Sequence, residues 1–483
     1  MTALPSSVSV IAAPRARDQR ALTALRYGTI ATAAWGVFAF GGVYPWAYWP
    51  LAGAALVCGI AGLAWRPTAS VETSSVQTKA ACALLVAAIA VQLVPLPIAW
   101  LRTASPVRLS LLQQLDPAVA ANLIRVHPLS IFPAGTWTGV ALLACFLVLF
   151  LGTSRLLAWT GARRWVEALI VVGVVLALVG LAQKPSHSGK IYGFWLPESG
   201  RHPFGPFVNR NHFAGAMLLV VPLTLALLCA GVSRIARDTR IRNWRDRVLW
   251  LSSPDANRLL LIGAAAGLMT LSLLMTMSRS GMGALALSLA VIAWFVVRGQ
   301  ASRVRKATVG AYFVLLLALT VGWVGADAIV ARFSSTDWGE FDNRLGAWQD
   351  ARDIVARFPI AGTGYNTYGT ATLIYQRHDL TQHYEQAHDD YLQLAAEGGV
   401  LVCLPALLLI VLFASDVRRR FKDDETGSTA WWLRVGAVTA LLAMALQETV
   451  EFSLQMPGNA VLFAIVCAIA VHRAPVRAAR SAS

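Results

Sequence analysis

Apolar runs separated by short polar breaks account for most of the chain, and a bilayer core takes about 20 apolar residues of helix. Segments that meet this need fall near 28–43, 48–65, 80–100, 135–154, 165–183, 211–232, 258–277, 281–298, 307–325, 391–414, 430–447 and 459–472. The pattern therefore predicts an all-α, polytopic transmembrane helical bundle of about 12 spans. It divides into an N-terminal tail 1–27, spans one to nine within 28–325, a loop 326–390, spans ten to twelve within 391–472, and a tail 473–483. No small-residue cleavage site follows the first apolar segment, so that segment reads as a retained span.

Within the loop, Leu345, Trp348, Val355 and Phe358 recur near helical spacing, with Asp342 or Asn343 placed to cap and Pro359 to stop. This predicts an amphipathic helix on the bundle mouth or the membrane surface. A Gly-rich turn, Gly362-Thr-Gly364-Tyr-Asn-Thr-Tyr368-Gly369, follows it. The turn lacks the GxGxxG pattern between strand and helix that a nucleotide cradle needs. The halves show no repeat, and the loop has no counterpart in a six-plus-six arrangement, which counts against a transporter built from symmetric halves.

Composition supports the membrane reading: 57% of the 483 residues are hydrophobic and 14% charged, where soluble domains carry about 25%. The formal charge of +16 would suggest nucleic acid in a soluble protein. Here, 28 of the 41 Lys and Arg residues fall on one side once the spans alternate from a cytoplasmic N-terminus. By the positive-inside rule both termini are cytoplasmic, and the charge reports topology and not a nucleic-acid partner. The six cysteines all lie in apolar segments without metal-type spacing and read as small hydrophobes.

The outer segments carry the candidate chemistry. Arg210 begins a span with Asn209 placed to cap it, so free N–H groups, the helix dipole and a guanidinium fork all favour an anion; snorkelling to lipid headgroups is the other reading. Arg279 sits in the short turn Ser278-Arg279-Ser280-Gly281, on the side where basic residues are depleted, with the same two readings. In Gln386-Ala-His388-Asp389-Asp390-Tyr391 a polar loop runs into an apolar helix, and His388 has the side chain suited to take a proton from an attacking hydroxyl. The plainer reading is that His388, Asp389 and Asp390 cap that helix and stay solvated. The remaining outer histidines, His187, His202, His212, His378 and His383, have no spacing typical of a metal site. Glu397, inside a span, calls for an arginine partner or a hydrated cavity; Glu448 and Glu451 read as solvated.

Taken in order, Phe-Gly-Pro-Phe-Val-Asn209-Arg210-Asn211-His212-Phe-Ala-Gly, Ser278-Arg279-Ser280-Gly281, Arg344…Trp348…Phe358-Pro359-Ile-Ala-Gly362-Thr-Gly364 and Ala387-His388-Asp389-Asp390-Tyr391-Leu-Gln resemble the O-antigen ligase and polysaccharide polymerase family of bacterial inner membranes. Gln92-Leu-Val-Pro95-Leu-Pro97 is a weaker stretch of the same kind. The resemblance implies a GT-C-type membrane glycosyltransferase that passes a glycan from undecaprenyl diphosphate to an acceptor hydroxyl on the periplasmic face. The acceptor is lipid A core, a growing polysaccharide or a protein, and the partners are these substrates and membrane lipids. No metal or other cofactor is implied. Arg210 and Arg279 match the family's diphosphate-binding arginines and His388 its loop histidine, with Asn209, Asn211, Glu385, Asp389 and Tyr391 in support. Asp389 stands where the family commonly has Asn; Asp389 or Glu385 is expected to orient the imidazole. The alternative from another class is a flippase for lipid-linked sugars.

Overall fold

The computed structural model describes residues 16–65, 75–184, 189–197, 202–237, 252–299, 310, 338–380 and 382–473. The helices are α1 (Ala16–Phe38), α2 (Pro45–Ala64), α3 (Val76–Val91), α4 (Ile98–Ala104), α5 (Pro106–Leu115), α6 (Pro117–Ala120), α7 (Pro133–Thr160), α8 (Arg163–Gln183) and α9 (Arg210–Arg237). They continue with α10 (Pro254–Met275), α11 (Arg279–Gly299), α12 (Trp338–Arg357), α13 (Tyr368–Tyr375), α14 (Asp390–Asp423), α15 (Thr429–Gln447) and α16 (Pro457–Val471). Eight of the described helices, α2, α7 to α11, α14 and α15, are long and apolar enough to cross a membrane. The expected spans near 28–43 and 459–472 overlap α1 and the shorter apolar helix α16, whereas the expected span 80–100 is broken: α3, also a shorter apolar helix, ends at Val91, and the strand Leu96–Pro97 and the start of α4 take up the rest. The expected span 307–325, both tails' outer parts and His187 lie outside the described residues.

The bundle is built around α9. Its side chains from Phe213 to Ala226 are buried on every side, so the helix is apolar all round where a peripheral helix needs only one apolar stripe. Close approach of backbones supplies the packing: a Cβ on Gly436 of α15 would meet Ala226 Cβ at 2.5 Å. At the end where α9 begins, α4 to α6, a two-residue antiparallel ladder between β1 (Leu96–Pro97) and β2 (Val126–His127), α12 and α13 form a small cap with its own core. Ala351, Ile354, Phe358, Tyr368, Ala371, Ala387 and Ala396 pack together there.

The cap is sewn to the bundle through a break in α14. Gly399, at φ 54 and ψ −161, interrupts the helix that the sequence presents as one apolar run. The interruption frees backbone groups on both sides, and they pair with the Gly-rich turn. Thr363 N donates to Ala396 O and Gly364 N to Glu397 O, both at 2.9 Å, while Val400 N and Leu401 N donate to Pro359 O and Ile360 O. Gln92 Nε2 reaches Ala361 O at 2.8 Å and Glu397 O at 2.9 Å. The Glu397 carboxylate accepts from the backbone N–H groups of Asn366, Thr367 and Tyr368 at 2.7, 3.1 and 2.9 Å. This corrects the expectation of an arginine partner or a hydrated cavity: a buried carboxylate is compensated here by a nest of amides. The loop helix α12 begins at Trp338, ahead of the expected Asp342 or Asn343 cap, ends before Pro359 as expected, and packs on α14.

Candidate active site

Three chain segments converge where α9 begins. The first is the α9 N-terminus, where Asn209 Oδ1 accepts from Asn211 N at 2.8 Å, the capping expected from the sequence. The second is α12 with the stretch leading into α14. The third is the turn 448–456 between α15 and α16.

His388 occupies the centre. Its backbone is left-handed at φ 54, a conformation histidine adopts more readily than most residues. Trp348 Nε1 donates to its carbonyl at 3.4 Å, Ala387 N donates to Gln393 Oε1 at 2.9 Å, and Asp389 Oδ1 caps α14 by accepting from Leu392 N at 3.0 Å. The cap expected of this stretch therefore exists, but Asp389 makes it, and the His388 ring turns inward. That ring lies edge-on to Phe452 with centroids 4.8 Å apart, and His212 lies against Phe452 at 4.6 Å. Burial, with the Arg344 charge adding to it, pushes the His388 imidazole down to about 3, so it is neutral throughout the physiological range.

The third segment is the part that sequence reasoning missed. Glu448 and Glu451 are each 1% exposed, which overturns their reading as solvated groups. Glu451 Oε1 accepts from Asn211 Nδ2 at 2.6 Å and from Arg344 Nη2 at 2.8 Å. Its Oε2 lies 4.0 Å from His388 Nδ1, and both of those atoms are buried without a hydrogen bond among the described residues. Burial raises the Glu451 carboxyl above the usual carboxylate range, and Arg344, Asn211 and Arg210 offset only part of that rise. The helix ends that flank this turn are laced to α9: Gln447 Nε2 of α15 donates to Asn211 O at 2.9 Å and Asn459 Nδ2 of α16 to His212 O at 3.0 Å. Two acidic residues three apart between apolar helices, flanked by Gln447, Gln455 and Asn459, were the available sequence signal.

The other expected residues separate into two groups. Arg210 stands at the first position of α9, close enough for its charge to act on Glu451. Arg279 opens α11, and two residues on, Gly281 presses on Ala214 of α9 so closely that a Cβ would meet Ala214 Cβ at 2.7 Å. The two arginine-bearing helix starts are thus side by side. Glu385 is exposed beside Gly369, and Tyr391 points away to donate its hydroxyl to Ala445 O at 2.9 Å. Among the described carboxylates, Glu451 is the one within 4.0 Å of the imidazole, the place expected for Asp389 or Glu385.

The arrangement combines a neutral, half-buried imidazole, a buried carboxylate beside its Nδ1, and a cationic helix start whose charge acts on that carboxylate. Residues 264–407 match the O-antigen ligase family. The match takes in Arg279, Arg344 and His388, while Arg210, Asn211 and Glu451 lie outside it. The O-antigen ligase family implies a membrane glycosyltransferase of ligase or polymerase type, in keeping with the eight apolar helices. No curated protein matched the chain.

Glu448 offers a direct check on the site's electrostatics. Burial first, then Asp390, raises its carboxyl to about 10, so it is protonated in the folded state at neutral pH. The unfolded chain releases that proton above about pH 4.3. Between these limits the folded state binds more protons, and stability falls as pH rises. Glu448→Gln is therefore expected to flatten the decline of melting temperature between about pH 5 and 9, measured in detergent, and to be more stable than wild type at the alkaline end.

Proposed function

We propose that the protein transfers a glycan from undecaprenyl diphosphate to an acceptor hydroxyl, on lipid A core or a growing polysaccharide, at the periplasmic face of the bacterial inner membrane. The observation that carries this reading is the meeting of the half-buried His388 imidazole with the Arg210 start of α9, through the buried Glu451. A base for the acceptor and an anion-binding helix start are what a single displacement at an anomeric carbon requires. In that step the acceptor oxygen forms a bond to the anomeric carbon as the carbon–oxygen bond to diphosphate breaks. The electron pair goes to the diphosphate and the hydroxyl proton to His388 Nε2, giving inversion.

Negative charge develops on the leaving group, and Arg210, Arg279 and the N–H groups of two helix starts stabilise it as it grows. Asn209 and Asn211 hold the first turn of α9 in shape for that task. Arg344 pairs with Glu451 and, after burial, adds to the lowering of the imidazole's pKa, which leaves the ring unprotonated before the acceptor arrives.

The test is release of free polyprenyl diphosphate from a sugar-loaded lipid donor by purified protein, with and without chelator. Release is expected to survive chelation. In Arg279→Ala it should fall by about 10²-fold or more, since a charge-stabilising donor in a transfer site contributes on that order. Absence of release with each donor and acceptor tried, together with movement of intact donor across vesicles, would assign the protein to lipid-linked sugar flipping.

A further inference from the structure

We propose that Glu451 is the positioning residue of His388, holding the proton on Nδ1 so that Nε2 presents its lone pair to the acceptor hydroxyl. The inference rests on the glycosyl-transfer reading above and names a residue outside the matched segment 264–407.

The argument comes from how the two oxygens of Glu451 are used. Oε1 is committed to Asn211 Nδ2 at 2.6 Å and Arg344 Nη2 at 2.8 Å, which fixes the rotation of the carboxylate. Oε2 is left aimed at His388 Nδ1, 4.0 Å away, and neither atom has another partner among the described residues. Two buried, complementary polar atoms without partners are a standing cost that a shift of about 1 Å removes, because a charge-assisted N–H···O bond closes near 2.8 Å. Catalytic hydrogen bonds are commonly long in the unliganded enzyme and tighten with substrate. Phe452 bounds one side of the ring and the backbone around His388 is pinned by Trp348 and Asp389, so the ring has a defined face toward Glu451.

Once closed, the pair works as follows. Nδ1 keeps its proton and donates it to Oε2. Nε2 takes the acceptor's proton as the bond to the anomeric carbon forms, and the imidazolium is stabilised by the carboxylate behind it. The Nε2 proton then leaves to water or to the departing diphosphate, restoring the neutral ring. The charged and titratable groups around the imidazole are Arg344 from α12, Arg210 and His212 from α9, Asp389, Asp390 and Tyr384 from its own stretch, and Glu448 beside Glu451.

Glu451→Gln is the informative variant. Arg344 and Asn211 both donate to Oε1, so they draw the amide oxygen to that position and leave the NH2 group facing Nδ1. The amide then donates to Nδ1 and forces the proton onto Nε2, the tautomer that cannot act as base. We expect kcat for polyprenyl diphosphate release to fall by up to about 10⁴-fold, the loss that follows when a carboxylate orienting a catalytic histidine is replaced by its amide, with the donor KM within about twofold. In wild type the acid limb of kcat should lie at higher pH than that of kcat/KM, because the pair closes only with substrate bound. In Glu451→Gln that separation should vanish. A loss of rate equal at every pH, with the separation kept, would make Glu451 structural and overturn the proposal, as would wild-type kcat.

A second measurement needs no catalytic variant. The imidazole 15N shifts of histidine-labelled wild-type protein, with bound polyprenyl diphosphate and His388→Gln used for assignment, should report a proton on Nδ1; a proton on Nε2 would overturn the proposal even if Glu451→Gln fails to fold. Full turnover by His388→Ala would instead remove the underlying base reading.

Discussion

His388→Ala should lower turnover of a lipid-linked glycan donor by about 10²- to 10⁴-fold while leaving the protein folded, that being the usual share of a positioned general base. The expectation has a pH signature that separates it from mere loss of packing. Burial and the Arg344 charge take the wild-type imidazole down to about 3, so it stays in its base form across the range where an ordinary histidine at about 6.5 would titrate. The kcat/KM of wild type should therefore be flat from about pH 8 down to about pH 5. A half-maximal rate near pH 6.5 would mean that the ring is exposed in the working enzyme and that its burial against Phe452 is not maintained. Replacing Arg344 by Gln removes one of the two causes, so its acid limb should move to higher pH than wild type.

Gly362→Ala should abolish the folded protein. Gly362 has φ +60, which disfavours any side chain, and a Cβ there would collide with the carbonyl carbon of Glu397 and with Gly398 N. These are backbone atoms inside the break of α14, so no rotamer change relieves the contact. The partner glycine is equally constrained: a Cβ on Gly399, φ +54, would lie 2.7 Å from Gly362 N and from Ile360 O. Separating the two strands of this crossing would also release the hydrogen bonds of Thr363, Gly364, Val400 and Leu401, and the amide nest around Glu397. The combined loss should exceed about 4 kcal/mol, the range reserved for mutations that breach a packed backbone. Monodisperse yield in detergent and protease resistance would measure it. Gly283→Ala is the control. Gly283 lies within α11 with nothing within 4 Å of the added Cβ, so alanine there should be neutral or stabilising by up to about 1 kcal/mol.

The fold was readable in the sequence to the extent that apolar length is readable. Eight of the twelve expected spans fall on described helices long and apolar enough to cross a membrane, because about twenty apolar residues leave the backbone little choice in lipid. The break at Gly399 was hidden because glycine pairs such as Gly398-Gly399 also occur in continuous membrane helices, and only the incoming Gly-rich turn gives the second one its role. Of the site, His388, Arg210 and Arg279 were visible as ionisable residues at the ends of spans, and Asn209 as a cap. Glu451 was not, since a carboxylate after a span normally faces water, and its burial depends on Arg344 and Asn211, 107 and 240 residues away. Glu385 is exposed, while the His388 imidazole lies against Phe452 with its Nδ1 4.0 Å from Glu451 Oε2.

The hydrogen bonds that Asn211 and Arg344 make to one oxygen of Glu451 also set a rule for grafting. The segment 264–407 is the matched unit and carries His388, Arg344 and Arg279, so it is the natural piece to exchange in a chimera. Moved alone, it would set a guanidinium and an imidazole of one parent against a carboxylate and an amide of another. A chimera built from this chain must carry 209–212 and 447–455 along with it, and those two short pieces, not the long loop, are where mismatched parents will lose activity.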